Sequence, residues 1–308
     1  MDIVKANGID LACESFGQTN DAAILLIAGL GTQMVRWTTP FCETLAAYGY
    51  RVIRFDNRDA GYSSHLSEHQ PPDFAALVAA LMAGRQPELA YALPDMAADA
   101  VALLDALGIE QAHVVGRSMG GMIAQIMASD HPGRVRSLTS IMSSTGNPAL
   151  PQAMPDVMAM MMRPAPDPIT DEAAFVAHRL AFARRLAGTG YPFDDEAHCD
   201  LVREEARRAY DPAGFGRQLA AMACAGDRRA RLATIRAPSL VIHGEDDPLI
   251  PPACGRDTAA SIPHAELMVI DGMGHDLPRT LDQTIIEAIN RTARRASEFE
   301  TNPIENSG

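Results

Sequence analysis

A serine flanked by glycines is the pattern in this chain with the clearest chemistry. The run Gly116-Arg117-Ser118-Met119-Gly120 follows an apolar segment, 112–115, and leads into a helix-like run that ends near 131. Glycines two positions on either side of the serine let a strand turn sharply into a helix, which holds the hydroxyl beside the helix N-terminus. The pattern predicts a nucleophile elbow with Ser118 as the nucleophile.

A serine hydroxyl needs a base to take its proton, and a histidine oriented by a carboxylate does this in acyl transfer. The chain has 9 histidines. His275 is the best candidate, because it follows a late predicted strand, 266–270, within a Gly-x-Gly-His turn. His243 ends another predicted strand and is interpreted as a structural, hydrogen-bonded imidazole.

Two neighbouring aspartates compete for the acid of such a triad. The acid is expected between the nucleophile and the histidine in the sequence, on a loop after a strand. Asp246 and Asp247 both follow the predicted strand 239–242. Asp247 is favoured as the triad acid, and Asp246 is interpreted as a carboxylate that caps the turn or lies in solvent.

The oxyanion that forms during acyl transfer needs two preorganised N–H donors. Met119, directly after the nucleophile, is expected to supply one, and the loop 28–32 after the first long apolar segment is expected to supply the other, from Leu30. A phosphate-binding loop is the alternative interpretation of Gly29-Leu30-Gly31. It is disfavoured because the third glycine and the later acidic partner of such loops are missing.

Apolar segments that alternate with helix-like runs must position these residues. Strands are predicted at 9–16, 22–28, 51–55, 112–115, 135–141, 239–242 and 266–270, and helices at 40–47, 94–107, 252–260 and 279–296. This alternation predicts an α/β fold with a mostly parallel sheet and helices on both faces.

The pattern changes between 147 and 232, where prolines interrupt the chain and helix-like runs follow one another without a strand. We interpret this region as a helical cap inserted between late strands, with a helix over 171–187 that Thr170 caps. The predicted domains are a first core part at 1–146, the cap at 147–232, a second core part at 233–297 and a disordered tail at 298–308.

Composition narrows the function classes. Acidic side chains outnumber basic ones by 39 to 26, and the formal charge of −13 argues against a nucleic-acid partner. Lys5 is the only lysine, so Schiff-base, pyridoxal phosphate and P-loop chemistry lack their required residue. No cofactor and no metal are predicted.

The cysteines and the apolar runs predict a cytoplasmic location. The 5 cysteines are scattered and form no Cys-x-x-Cys pair, which is typical of a reducing compartment. The first residues show no basic region before an apolar stretch, and no uncharged run has the length of a membrane span.

Together these motifs resemble the α/β-hydrolase family over nearly the whole chain. The matching positions are Gly29-Leu30-Gly31, residues 56–63, the elbow at 116–120, the run 244–251 and Gly274-His275. The Asp-x-Arg-Asp-x-Gly-x-Ser pattern at 56–63 is similar to that of capped carboxylic ester hydrolases of the aclacinomycin methylesterase type. The resemblance implies five roles: nucleophile Ser118, acid Asp247, base His275, and oxyanion donors Leu30 and Met119.

One departure from the family concerns the oxyanion loop. Many relatives carry a histidine where this chain has Ala28. The hydrogen bonds that such a histidine would make must come from elsewhere if Leu30 is to be held in place.

The resemblance implies a serine carboxylic ester hydrolase that cleaves a small to medium apolar ester through an acyl-enzyme, with the ester and water as its partners. Flexible thioethers suit an adaptable apolar pocket, and a pocket lined by Gly29, Met142, Met158 and Met161 is predicted, although the methionines equally suit an ordinary packed helix. Three alternatives stay open: a cofactor-free haloperoxidase-like enzyme, a lactone hydrolase on the same triad, and a ligand-binding protein with vestigial activity.

Overall fold

A computed structural model describes residues 1–301 of the chain, with side chains described to 297. Of the predicted disordered tail at 298–308, residues 298–301 belong to the last helix and 302–308 lie outside the described residues. An 8-stranded sheet with the order β1-β2-β4-β3-β5-β6-β7-β8 forms the centre of the molecule. The strands are β1 (Asp2–Ala6), β2 (Ile9–Phe16), β3 (Ala22–Ile27), β4 (Tyr50–Phe55), β5 (Ala112–Arg117), β6 (Val135–Ile141), β7 (Ser239–Gly244) and β8 (Glu266–Ile270).

Strand direction agrees with the predicted α/β class. The pairs β1–β2 and β2–β4 are antiparallel, and every other neighbouring pair is parallel. The helices are α1 (Thr39–Ala47), α2 (Phe74–Met82), α3 (Leu93–Ala106), α4 (Met119–Asp130), α5 (Pro155–Met162), α6 (Glu172–Leu186), α7 (Asp195–Arg208), α8 (Pro212–Ala223), α9 (Arg229–Leu232), α10 (Pro252–Ser261) and α11 (Asp282–Thr301). The prediction of a mostly parallel sheet with helices is confirmed.

Strand β3 shows why the central strands are apolar on both sides. Leu25 and Ile27 pack in a core with α3 and α4 on one face of the sheet, whereas Ile24 and Leu26 pack in a second core with α1 and α11 on the other. All four side chains are fully buried. A parallel strand covered by helices on both faces therefore needs a continuous apolar run rather than alternation.

Helices α5 to α9 lie between β6 and β7, and within the described residues no strand interrupts them. We refer to residues 147–232 as the cap. The predicted N-cap of α6 was wrong by one residue, because Asp171 and not Thr170 accepts the N–H of Ala174, at 2.9 Å. Thr170 instead donates its hydroxyl to the carbonyl of Asp167 at 3.3 Å.

Residues 56–63, which we call the β4 loop, tie the cap to the core. The Asp56 carboxylate accepts the N–H groups of Met34 at 2.7 Å and Tyr62 at 3.0 Å, and it pairs with Arg208 of α7. A Cβ on Gly61 would lie 2.1 Å from this carboxylate, and Gly61 has a φ of 55°. Only glycine fits there, because both the space and the backbone conformation exclude a side chain.

Two further ion pairs complete the β4 loop. Arg217 of α8 holds Asp59 through two hydrogen bonds of 2.8 and 2.7 Å, and Arg58 holds Asp99 of α3 through two bonds of 2.6 Å. These four residues are at most 7% exposed. The charged residues of this motif therefore hold the cap and α3 against the end of β4.

Within the described part of the chain, none of the helices combines the length and the apolar character that crossing a membrane requires.

Candidate active site

The elbow after β5 has the strained geometry that its glycines predict. Ser118 has a φ of 54°, a conformation that is rare for a residue with a side chain. A Cβ on Gly116 would lie 2.1 Å from the carbonyl oxygen of Gly120, and a Cβ on Gly120 would lie 2.3 Å from that of Ile27. The Ser118 N–H donates to the carbonyl of Ile141 at 2.8 Å, which anchors the turn to β6.

The structure brings Ser118, His275 and Asp247 together. His275 Nε2 lies 3.0 Å from Ser118 Oγ, and His275 Nδ1 lies 2.7 Å from Asp247 Oδ2. The other carboxylate oxygen of Asp247 accepts the N–H groups of Leu249 at 2.9 Å and Ile250 at 2.8 Å. The carboxylate is therefore fixed on one side by its own loop and orients the imidazole with the other.

Asp247 is buried and ionised. Burial by itself would raise the pKa of Asp247, but the charge of His275 and hydrogen bonds from His243 and His275 outweigh it and lower the pKa from 3.8 to about 2. His243 is fully buried, donates from Nε2 to the carbonyl of Ile250 at 2.7 Å and lies 3.5 Å from Asp247 Oδ2. It supports the acid and has no contact with Ser118.

Asp246 points away from the triad and binds the cap. Its side chain is exposed, and its Oδ2 accepts the hydroxyl of Thr189 at 2.9 Å. The two adjacent aspartates thus occupy different environments, one buried against an imidazole and one at the junction of core and cap.

The two expected oxyanion donors have unoccupied N–H groups. Among the described residues, no acceptor takes the backbone N–H of Leu30 or of Met119. The loop that carries Leu30 lies against the nucleophile, since a Cβ on Gly29 would lie 3.3 Å from the Cβ of Ser118. Free N–H groups next to a serine hydroxyl are what an oxyanion hole requires.

Polar side chains from outside the loop hold it in place. Asn57 of the β4 loop donates to the carbonyl of Ala28 at 3.1 Å, and Gln218 of α8 accepts the N–H of Gly31 at 2.8 Å. Gln218 also donates to the carbonyl of Arg58 at 2.7 Å. These side chains therefore hold the loop by hydrogen bonds on both sides of Leu30, although position 28 is an alanine and cannot supply them.

A cavity of about 980 Å³ lies between the core and the cap. Ser118 and His275 line it, and so do the four residues predicted for the pocket, Gly29, Met142, Met158 and Met161. The cap adds an apolar wall that the sequence did not predict, composed of Phe182, Leu186, Phe193, Leu201 and Phe215. A side-chain surface of this kind suits a ligand with a large apolar body.

The end of α6 positions the histidine loop, another feature that the sequence did not predict. Leu186 accepts the N–H of His275 at 2.8 Å, and the Gly190 N–H donates to Gly272 at 2.9 Å. A Cβ on Gly274 would lie 2.2 Å from the Leu186 carbonyl oxygen. This close approach explains a glycine directly before the histidine.

Four arginines line the cavity, and sequence reasoning assigned none of them a function. They are Arg36, Arg117, Arg179 and Arg279, of which Arg279 is exposed. Arg36 binds Glu205 of α7 through hydrogen bonds of 2.9 and 2.6 Å. Arg117 belongs to the elbow motif, and its position next to Ser118 in the sequence was the one feature that could have indicated an arginine at the site.

One group outside the cavity resembles a metal site. Potential ligand atoms of Asp59, His65 and Asp211 lie within 4.8 Å of one another. Arg217 donates to both carboxylates, with a bond of 3.0 Å to Asp211 in addition to its pair with Asp59. The guanidinium already satisfies the charge, so the donor set does not fit a metal ion.

The match to a family model agrees with this geometry. Residues 22–278 match the model described as alpha/beta hydrolase fold. The chain belongs to the α/β-hydrolase family and is an esterase-type hydrolase within it, as the sequence motifs predicted.

Individual proteins similar to this chain include esterases and other hydrolases. The chain is 32% identical to rhodomycin D methylesterase DauP of Streptomyces sp. (strain C5), over 96% of this chain and 98% of that protein. It is 29% identical to a putative carbamate hydrolase, RutD of Variovorax paradoxus (strain S110), over 85% and 88%. The enol-lactonase from Burkholderia xenovorans LB400 has the same fold, with a TM-score of 0.68 at 23% identity, and the match covers 97% of this chain and 100% of that one.

Proposed function

We propose that the protein is a serine carboxylic ester hydrolase that works through an acyl-enzyme, with Ser118, His275 and Asp247 as its catalytic triad. The observation that carries the proposal is the continuous hydrogen-bonded chain from Ser118 Oγ to Asp247, at 3.0 and 2.7 Å, on the wall of a cavity. At 3.0 Å His275 Nε2 can take the hydroxyl proton, and the 2.7 Å bond to Asp247 orients the imidazole.

The first half of the reaction acylates the serine. Ser118 Oγ attacks the ester carbonyl while its proton moves to His275 Nε2, and the ionised Asp247 stabilises the imidazolium. The N–H groups of Leu30 and Met119 bind the oxyanion of the tetrahedral intermediate. His275 then returns the proton to the leaving alcohol.

The second half releases the acid. Water takes the place of the alcohol. His275 accepts a proton from this water, and the resulting hydroxide attacks the acyl carbonyl. Collapse of the second tetrahedral intermediate breaks the bond to Ser118 Oγ, which recovers its proton from His275. No cofactor takes part in either half.

We infer a substrate with a small alcohol part and a larger acyl part. The 32% identity to a protein named a methylesterase supports a methyl ester. The cavity of about 980 Å³ with its aromatic and methionine side chains supports an acyl part of medium size or larger. We place the enzyme in the cytoplasm, because all 5 cysteines are unpaired.

Labelling with a fluorophosphonate followed by peptide mapping tests the nucleophile. We expect the label on Ser118 and its loss in Ser118→Ala, because Ser118 both lines the cavity and contacts a histidine, whereas Ser137, which contacts His113 at 2.8 Å, is buried inside β6. Ser144→Ala is the matched control, since Ser144 also lines the cavity, and it should keep the label. A folded protein that labels elsewhere, or not at all, would contradict the proposal.

A further inference from the structure

Among the described residues, the Arg36–Glu205 pair leaves three cavity arginines without a hydrogen-bonded carboxylate: Arg117, Arg179 and the exposed Arg279. Glu205 Oε1 accepts from Arg36 Nε at 2.9 Å and from the N–H of Gln33 at 3.2 Å, while Oε2 accepts from Arg36 Nη2 at 2.6 Å. The charge of Glu205 also acts on Arg117 and Arg179, but Arg36 is the arginine that its oxygens bind. Both side chains are about nine-tenths buried, so this ion pair is a fixed part of the cavity wall.

The side chains of Arg117 and Arg179 make no hydrogen bond or ion pair with any residue that the structure describes. Arg117 lies over the ring of Trp37, at 5.5 Å from its centroid, and this contact uses the guanidinium face but none of its N–H groups. Each guanidinium offers five N–H donors. Two such groups face the same cavity as the nucleophile.

Other charges in the cavity leave this excess in place. Asp276 lines the cavity near Arg117 but forms no ion pair with it, and its backbone hydrogen bonds come from Gly188 and Gly274. Burial is the largest influence on Asp276 and raises the pKa of its carboxyl group. Asp194 is exposed at the start of α7 and caps that helix.

A neighbouring imidazole adds no positive charge at pH 7. Burial is the main cause that lowers the pKa of His198 to about 4; the charges of Arg36 and Arg179 act in the same direction, and those of Glu205 and Asp195 oppose it. His198 is therefore neutral at pH 7 and adds no cation. An enclosed cation without a partner is costly, and a bound anion removes that cost.

We propose that the cavity binds esters whose acyl part carries a carboxylate, and that Arg117 and Arg179 are the residues that select this group. The inference rests on the proposed function and deepens it, since it names the substrate class as half-esters of dicarboxylic acids. The carboxylate binds the free guanidinium N–H groups, the apolar chain contacts the cap, and the methyl ester lies at Ser118.

Turnover of matched ester pairs tests the preference. The probes are monomethyl dicarboxylates from succinate to sebacate, each compared with the methyl alkanoate of equal chain length, with methanol release as the readout. We expect kcat/KM to be about tenfold or more higher for the best half-ester than for its neutral match. Equal or lower values across the whole series would overturn the inference.

Variants of the arginines assign the effect. We expect Arg179→Gln and Arg117→Gln each to lower the ratio of the two kcat/KM values several-fold, and Arg179→Lys to restore part of it, because lysine keeps the charge without the planar fork. Arg184→Gln is the matched control on α6, since Arg184 is exposed and paired with Asp195. A ratio that is unchanged in both cavity variants would exclude these residues as the selecting groups.

Binding to Ser118→Ala separates this inference from the proposed function. Calorimetry with the free dicarboxylates and the matched monocarboxylates requires no turnover. A tighter dicarboxylate, lost in Arg179→Gln, supports the anion site even if no ester is cleaved. Turnover of neutral esters with no preference for dicarboxylates in either measurement supports the hydrolase and overturns the anion site.

Discussion

Arginines in two regions of the molecule differ in what their guanidinium groups contact. In the β4 loop, Arg58 and Arg217 are at most 7% exposed, and each binds a carboxylate through two hydrogen bonds. In the cavity, Arg117 and Arg179 bind no carboxylate of the described residues. The β4 loop pairs join α3 and α8 to the end of β4, whereas the two cavity arginines are the groups that we propose to bind a ligand.

Two adjacent aspartates near Ser118 and His275 show a similar difference in what they contact. Asp247 is buried and committed to His275, whereas its neighbour Asp246 is exposed and bound to a threonine of the cap. Identical side chains one residue apart therefore serve chemistry and assembly. Substitutions that keep the shape but remove the charge can test each side of the comparison.

Asp247→Asn should cause the largest change. We expect kcat/KM to fall by about 10⁴-fold, because the amide cannot stabilise the imidazolium and favours the wrong tautomer of His275. Asp246→Asn is the matched control and should change it by less than about tenfold. Hydrolysis of a short-chain aryl ester measures both, and a larger loss in Asp246→Asn would reverse the assignment of the two carboxylates.

Arg217→Gln should produce the second largest effect, on stability. It leaves Asp59 buried without its cation, so we expect the free energy of unfolding to fall by about 3–5 kcal/mol. Arg229→Gln is the matched control, because Arg229 forms an exposed ion pair with Asp227 that solvent screens, and it should change stability much less. Denaturant unfolding measures both, and equal losses would contradict a structural role for the β4 loop pair.

The next effect is a loss of stability in acid that depends on His198. Its pKa in the folded protein is about 4, below the ordinary 6.5, so the unfolded chain takes up a proton first as the pH falls. The contribution of neutral His198 is complete above about pH 6.5 and declines towards about pH 4.

Thermal unfolding of His198→Gln checks this window. We expect its stability to fall less steeply between pH 6.5 and pH 4 than that of the native chain, while His69→Gln, at an exposed position, keeps the native slope. His113, whose pKa burial also lowers to about 4, contributes in parallel in all three proteins. Identical slopes for the native chain and His198→Gln would show that this imidazole is not shielded from protonation.

Arg179→Gln should have the smallest effect on folding. Because no carboxylate of the described residues loses a hydrogen-bonded partner, we expect the free energy of unfolding to change by less than about 1 kcal/mol. The same substitution at Arg217 is the matched comparison, and denaturant unfolding measures both. A loss at Arg179 as large as that at Arg217 would mean that the cavity arginine has a structural partner after all.

Local sequence patterns were enough to predict much of the fold and most residues of the candidate site. The apolar runs at 22–28 and 239–242 predicted two central strands, because a strand covered by helices on both faces must be apolar on both sides. The Gly-x-Ser-x-Gly run named Ser118 because its geometry is local: both glycines contact backbone within a few residues or on the adjacent strand. The order of loops after strands singled out His275 in the same way.

Local patterns could not predict contacts between residues that are far apart in the sequence. Nothing near Arg179 or Arg217 in the sequence indicates that one lacks a carboxylate while the other binds two, because their surroundings come from residues up to 158 positions away. The N-cap at Asp171 and the bond from Leu186 to His275 likewise depend on precise placement. Residue type and short spacing specify which groups can react, whereas the packing of cap against core specifies which charges are paired, because only the folded chain brings their partners within hydrogen-bond distance.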